Sequence, residues 1–195
     1  MNEDAPCDAQ LVQAAQAGDR DAFGQLVLRY QDRLFNSLSR MVASPDDAAD
    51  AVQDALIQAF LKLDTFRGDS RFYTWVYRIA MNVAFSHKRR KRPSASIDDI
   101  KETIGEEPAA AGESPEDIVL SQERIAHVQA ALDQLGDEHR QILVLRDIEG
   151  FAYEEIADVL GLPVGTVRSR IFRGRSQMKD ILSRTLGEET SSVKS

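Results

Sequence analysis

One cysteine in 195 residues, Cys7 near the N-terminus, leaves neither a disulfide framework nor a thiolate cluster for zinc. The three histidines, His87, His127 and His139, lie far apart and none has ligand spacing, so no metal or other cofactor is expected. No apolar run approaches the roughly 18 residues of a membrane helix, so no direct membrane insertion is expected. The opening segment, MNEDAPCDAQ, is acidic and polar rather than a basic stretch followed by an apolar one. That is not a secretory signal, and a cytoplasmic protein is expected. A nucleophile–base pair and a phosphate-cradling glycine loop are also missing, which speaks against an enzyme. No convincing period-2 strand appears.

What remains is helical. Glycine and proline sit mainly at joints, and apolar residues recur at helical spacing between them. The expected fold class is all-α. A short helix over residues 8–17 ends at Gly18. A second spans 21–42, with Phe23, Leu26, Val27, Tyr30, Leu34, Leu38 and Met41 on one face. Ser44-Pro45-Asp46-Asp47 supplies a cap, a proline at the first helical position and first-turn acids for a third helix reaching residue 63. A fourth runs from about residue 70 to 92, where Pro93 stops it. Residues 94–114, SASIDDIKETIGEEPAAAGES, are acidic and contain no aromatics, the composition of a flexible linker. The expectation is two small helical domains, 1–93 and 115–186, joined by the linker 94–114 and followed by a tail, 187–195. The second domain opens with Ser114-Pro115-Glu116-Asp117 and a helix to about 135. After Gly136, Asp137 caps another helix to about 149, and Gly150 precedes a final helix pair.

Net charge is −8, yet the positive charge is gathered. Residues 67–93 carry eight basic side chains against one acidic, and residues 161–184 carry six against one. Residues 94–160 carry four against seventeen. Two basic islands on helices within an acidic chain suggest two sites for a polyanion; the plainer alternative is two solvated helix faces.

The second island lies in residues 153–175, YEEIADVLGLPVGTVRSRIFRGR, which reads as a helix, a tight turn and a basic second helix. Ile156, Val159 and Leu160 form an apolar face, and Ala157 is small enough for close approach. Gly161 suits a left-handed C-terminal position. Val164, Val167, Ile171 and Met178 share one stripe of the second helix. Thr166, Arg168, Ser169, Arg170, Phe172, Arg173 and Arg175 fall largely outside it. Arginine pairs with guanine or phosphate, and the hydroxyls serve either. Phe172 either touches a thymine methyl or packs on a neighbouring helix.

Tyr153, Glu155, Ile156, Ala157, Leu160, Gly161, Pro163 and the GTVRSR core with Arg173 and Arg175 resemble region 4 of bacterial sigma factors of the sigma-70 family, in the small extracytoplasmic-function (ECF) group. The resemblance implies a DNA-binding domain that reads the promoter −35 element. Carried over by position, Arg168, Ser169, Phe172 and Arg173 face bases, with Thr166, Arg170 and Arg175 nearer phosphate.

The N-terminal domain resembles region 2 of the same family. In DAADAVQDALIQAFLKLDTF, Ala48, Ala51, Val52, Ala55, Leu56, Ala59, Phe60 and Leu63 form an apolar face. The resemblance implies that the polar face, with Asp50, Gln53 and Asp54 as candidates, docks on core RNA polymerase. An acidic face suits a partner with basic residues. The segment FRGDSRFYTWVYRIAMNVAFSHKRRKR resembles the part that melts and holds the −10 element. Phe72, Trp75, Val76, Ile79 and Val83 are read as core, and Phe66, Tyr73 and Tyr77 as freer aromatics for base stacking. The loop Arg67-Gly68-Asp69-Ser70 is expected to line a pocket for a flipped base, with Arg71, Arg78 and Asn82 along the strand path. Lys88, Arg89, Arg90, Lys91 and Arg92 suit upstream duplex phosphate, or else a solvated helix end near the negative pole of the helix dipole. The resemblance further implies promoter DNA and an anti-sigma factor as partners. It also implies a linker threading toward the polymerase active site and RNA exit path; being a polyanion, that linker is expected to occupy a cationic RNA channel until the transcript displaces it. A regulator that binds DNA without replacing sigma explains the second island but not the first, nor residues 46–63. A protein–protein module with solvated basic faces is the other rival.

Overall fold

The computed structural model describes residues 6–42, 44–91 and 115–192. They form α1 (Asp8–Gln16), α2 (Arg20–Ser39), α3 (Pro45–Leu61), a 3-10 turn (Leu63–Thr65) and α4 (Phe72–Lys91). After the undescribed segment come α5 (Pro115–Gln134), α6 (Asp137–Leu143), a π-helical turn (Val144–Ile148), α7 (Tyr153–Leu160) and α8 (Val164–Ser192). No strand occurs among the described residues, in agreement with the all-α expectation. The chain forms two compact units; α1 to α4 belong to the first, and α5, α6, the start of α7 and α8 to the second. The acidic linker 94–114 and its expected path lie outside the described residues, as do Arg92 and the side chain of Lys91.

Local chemistry sets the helix starts. Asp19 accepts from the backbone N–H groups of Asp21 and Ala22, and Ser44 from that of Asp47 with Pro45 at the first helical position. α3 then packs on α4 through a stripe of small residues. Ala48, Ala51, Ala55 and Ala59 are all fully buried, and their short side chains let the two backbones approach closely. The core of this unit adds Leu26, Leu34 and Leu38 from α2 and Phe72, Trp75, Val76, Ile79 and Val83 from α4, as the periodicity of α4 indicates. Each large side chain so buried contributes roughly 1.5–3 kcal/mol. Phe60 departs from expectation: it is 42% exposed, although its ring tilts against Phe23 at 5.1 Å.

In the second unit the Arg140 guanidinium donates to the backbone carbonyls of Leu132, Asp133 and Leu135, satisfying the free end of α5. The expected helix 137–149 is interrupted. It becomes π-helical from Val144, and the Glu149 N–H donates to the Val144 carbonyl five residues back, at 2.9 Å. No side-chain cap precedes α6: its N-cap is Gly136, not Asp137. α8 continues through Gly187 to Ser192, into the stretch expected to be a tail.

Candidate nucleic-acid interface

The helix pair at the end of the chain is built by short-range contacts. Arg146 donates to the Phe151 carbonyl at 2.8 Å and lies over the Tyr153 ring at 5.0 Å. The Ala152 N–H donates to the Glu155 carboxylate at 2.9 Å, which opens α7. Gly161 ends α7 at φ +64°, a conformation that L side chains resist. The Pro163 carbonyl then accepts from the N–H groups of Thr166 and Val167, starting α8.

On α8, Val167 and Ile171 are buried as expected, whereas Val164 and Met178 are only half-buried. Gly174 and Ile181 complete the stripe and were not singled out in the sequence. A Cβ on Gly174 would stand 3.3 Å from Leu143 Cγ and 3.4 Å from His139 Cβ, so the glycine sets how closely α8 approaches α6. Arg168 and Arg173 are exposed, and Phe172 is 77% exposed rather than packed on a neighbouring helix. Ser169 donates to the Thr166 carbonyl at 3.0 Å, which leaves its hydroxyl oxygen able to accept.

Two of the arginines placed near phosphate are already engaged. Arg170 pairs with Glu138 at 2.9 Å, and Arg175 forms a two-pronged pair with Asp147, one arm of it 3.2 Å. These pairs draw the guanidinium groups toward α6 and the π turn. The hydrogen bonds to Asp147 raise the pKa of Arg175 above its ordinary value.

In the first unit, residues 67–70 form an exposed loop apart from the half-buried Ser70, and Gly68 turns it at φ +80°. Phe66 is half-buried, its ring edge-on to Phe72 at 5.7 Å and tilted to Trp75 at 5.3 Å. Arg71, Arg78 and Asn82 are exposed. Arg78, Asn82 and Arg89 fall at i, i+4 and i+11 on an otherwise largely buried helix, a polar strip roughly 16 Å long at the usual helical rise. Lys88 and Arg90 stand on either side of Arg89, both exposed.

Tyr73 and Tyr77 are not free for stacking, and that expectation is corrected. Tyr77 is fully buried, with its hydroxyl 2.6 Å from Ser37 Oγ and 4.0 Å from the Met41 sulfur. Tyr73 is 4% exposed, stacked on Tyr30 at 5.1 Å with the Arg33 guanidinium over its ring at 4.3 Å. Their partners come from α2 and the residues just after it, about 40 residues earlier, which α4's own spacing cannot reveal. Tyr30 also hydrogen-bonds Asp8; burial first, then that bond, pushes its pKa up to about 12.

Asp50, Gln53 and Asp54 are exposed on α3, and Asp54 meets His87 of α4 at 3.2 Å. Ile57 and Leu61 continue the same stripe at i+7 and i+11 from Asp50, 52% and 74% exposed. The sequence reading missed both, although the helical period carries the signal. Among the described residues no group of acids, histidines and cysteines is arranged to hold a metal, and no helix is long and apolar enough to cross a membrane.

Residues 26–93 match the family Sigma-70 region 2, and residues 125–178 match Sigma-70, region 4. The RNA polymerase sigma-H factor of Pseudomonas aeruginosa is 42% identical over 93% of this chain and 96% of its own length. The chain belongs to the sigma-70 family, in its ECF group. This sigma factor is also 44% identical to the ECF RNA polymerase sigma-E factor of Escherichia coli, over 86% of this chain and 90% of the relative. Among solved structures it resembles CnrH in complex with the cytosolic domain of CnrY, with a TM-score of 0.66 and 29% identity over 91% of this chain and 97% of that one. The sigma factor RpoE of Bartonella quintana, solved with the anti-sigma factor NepR, also gives 0.66, at 28% identity over 83% and 96%. Membership sets aside the regulator that acts without replacing sigma. The chain is an initiation factor of transcription, in a family of DNA-binding proteins rather than enzymes.

Proposed function

We propose that this sigma factor carries no chemistry of its own and holds a promoter at two places while bound to core RNA polymerase in the cytoplasm. Arg168, Ser169, Phe172 and Arg173 read the −35 duplex, with Thr166 beside them. Arg170 and Arg175 support that face from their ion pairs and reach phosphate only by exchanging carboxylates for it. Phe66, the loop 67–70, Arg71, Arg78 and Asn82 hold the opened −10 strand, and Lys88 to Arg92 meet the duplex phosphates upstream. The α3 face of Asp50, Gln53, Asp54, Ile57 and Leu61 docks on core polymerase, its acids pairing with basic residues and its apolar end supplying buried area. The solved relatives held by CnrY and NepR support an anti-sigma factor as a further partner.

The observation that carries this reading is the exposure of Arg168 and Arg173, which have no ion-pair partner among the described residues, beside Phe172 near the start of α8. A helix with an apolar back and that front is suited to enter a major groove. Run-off transcription with purified core enzyme across genomic DNA tests it: start sites should share paired −35 and −10 motifs. Failure to associate with core, or to start any transcript in its presence, would overturn it.

A further inference from the structure

α1 precedes the region 2 match, which begins at residue 26, and nothing in the reading above gives it a task. It does hold the chain just before the loop proposed to read the −10 strand. Gln16, the last residue of α1, directs its side-chain amide at two backbone carbonyls about 50 residues away. Nε2 donates to the Leu63 carbonyl at 3.0 Å and to the Phe66 carbonyl at 2.9 Å. An amide nitrogen has two hydrogens, so both are used.

The two acceptors are unequal. The Leu63 carbonyl also accepts from the Phe66 N–H at 3.0 Å, closing the 3-10 turn. Phe66 then leaves the turn in an extended conformation, φ −75° and ψ 117°. Its carbonyl is therefore the first of the loop, and its direction fixes the plane of the Phe66–Arg67 peptide. Gln16 thus holds the point from which Arg67, Gly68, Asp69 and Ser70 depart. The support is stiff: Leu11, Val12 and Ala15 bury α1 in the core, and the Phe66 ring is braced by Phe72 and Trp75. A binding loop is accurate only when its ends are held by such elements.

We infer that Gln16 is a positioning residue for −10 recognition, acting on the loop 67–70 through the Phe66 carbonyl without touching DNA. The inference rests on the assignment of that loop to the −10 strand. Gln16→Met keeps the length and removes both donors. Gln16→Lys restores a donor group, one bond further out and charged, able to reach the same two carbonyls.

The test uses the full chain bound to core polymerase. Open-complex formation is followed by permanganate reactivity on a cognate promoter and on promoters with single −10 substitutions. With two neutral hydrogen bonds lost, Gln16→Met is expected to lower opening on the cognate promoter ~10-fold and to shrink the ratio between cognate and substituted promoters. Gln16→Lys should recover most of both, and neither variant should alter core affinity. Opening that Gln16→Met leaves unchanged, or a loss equal on every promoter with the ratio intact, overturns the positioning role. Arg67→Ala separates the two claims. If it lowers opening while Gln16→Met does not, only the positioning role fails; if neither does, the loop assignment fails and the inference with it.

Discussion

Replacing Arg173 by alanine separates base reading from charge. Arg173 is exposed on α8 and has no intramolecular partner among the described residues. The substitution therefore removes no packing or ion pair, and alanine is the best helix former, so fold stability should stay within about 0.5 kcal/mol. A bidentate contact to guanine is worth about 1–3 kcal/mol, or roughly 5- to 150-fold in affinity. That loss should appear on a cognate −35 duplex and be much smaller on a scrambled one. Fluorescence anisotropy of both duplexes, repeated over a salt series, measures it. A phosphate contact behaves differently: affinity falls equally on both duplexes, and the slope of log K against log salt drops by roughly 0.9. Either that pattern or unchanged binding refutes the base assignment. Arg175→Ala is the contrasting case. It breaks a pair with Asp147 that is about half exposed, so it should cost up to about 1 kcal/mol of stability, and it leaves Asp147 unpaired.

Tyr77→Phe should lower stability by roughly 1–3 kcal/mol in a denaturant melt, because it withdraws the partner of the buried Ser37 hydroxyl, while −10 discrimination stays as in the native protein. Gly174→Val should destabilise the second unit by more than about 1 kcal/mol, since its Cβ already crowds Leu143 and two further methyls must fit, against a helix-propensity gain below 1 kcal/mol; thermal unfolding of the chain reads this. Tyr30 has its pKa raised, so its contribution is complete below the unfolded value near 10 and declines as pH rises through about 12. Discounted for its partial exposure, the decline is roughly 1 kcal/mol, and Tyr30→Phe should remove it from the pH 10–12 limb of the stability curve.

The helices, and the starts of α3 and α8, were legible because their causes lie within a turn or two of chain. Ser44 and Pro45 open α3, and Gly161 with Pro163 separates α7 from α8, through contacts of no more than four residues. The apolar core of α4 followed from its spacing for the same reason. The π turn was hidden because the apolar spacing of Val144 and Leu145 reads the same in an α-helix, and only the register of the bonds distinguishes the two. Ile57 and Leu61 were visible on the α3 stripe but were passed over, since apolar residues there suggest core until burial is known.

By itself the sequence determined an all-α chain, a helix-turn-helix with a basic second helix, and an acidic background that leaves two islands of positive charge. Those are properties of composition and period, which need no knowledge of distant partners. Tertiary structure alone decided which side chains within the islands are available. Tyr73 and Tyr77 went to α2, Arg170 and Arg175 to carboxylates of α6 and the π turn, and Gln16 to a turn about 50 residues away. A side chain's freedom depends on what the fold brings within about 3 Å of it, the reach of a hydrogen bond, and those neighbours come from parts of the chain that local spacing cannot connect.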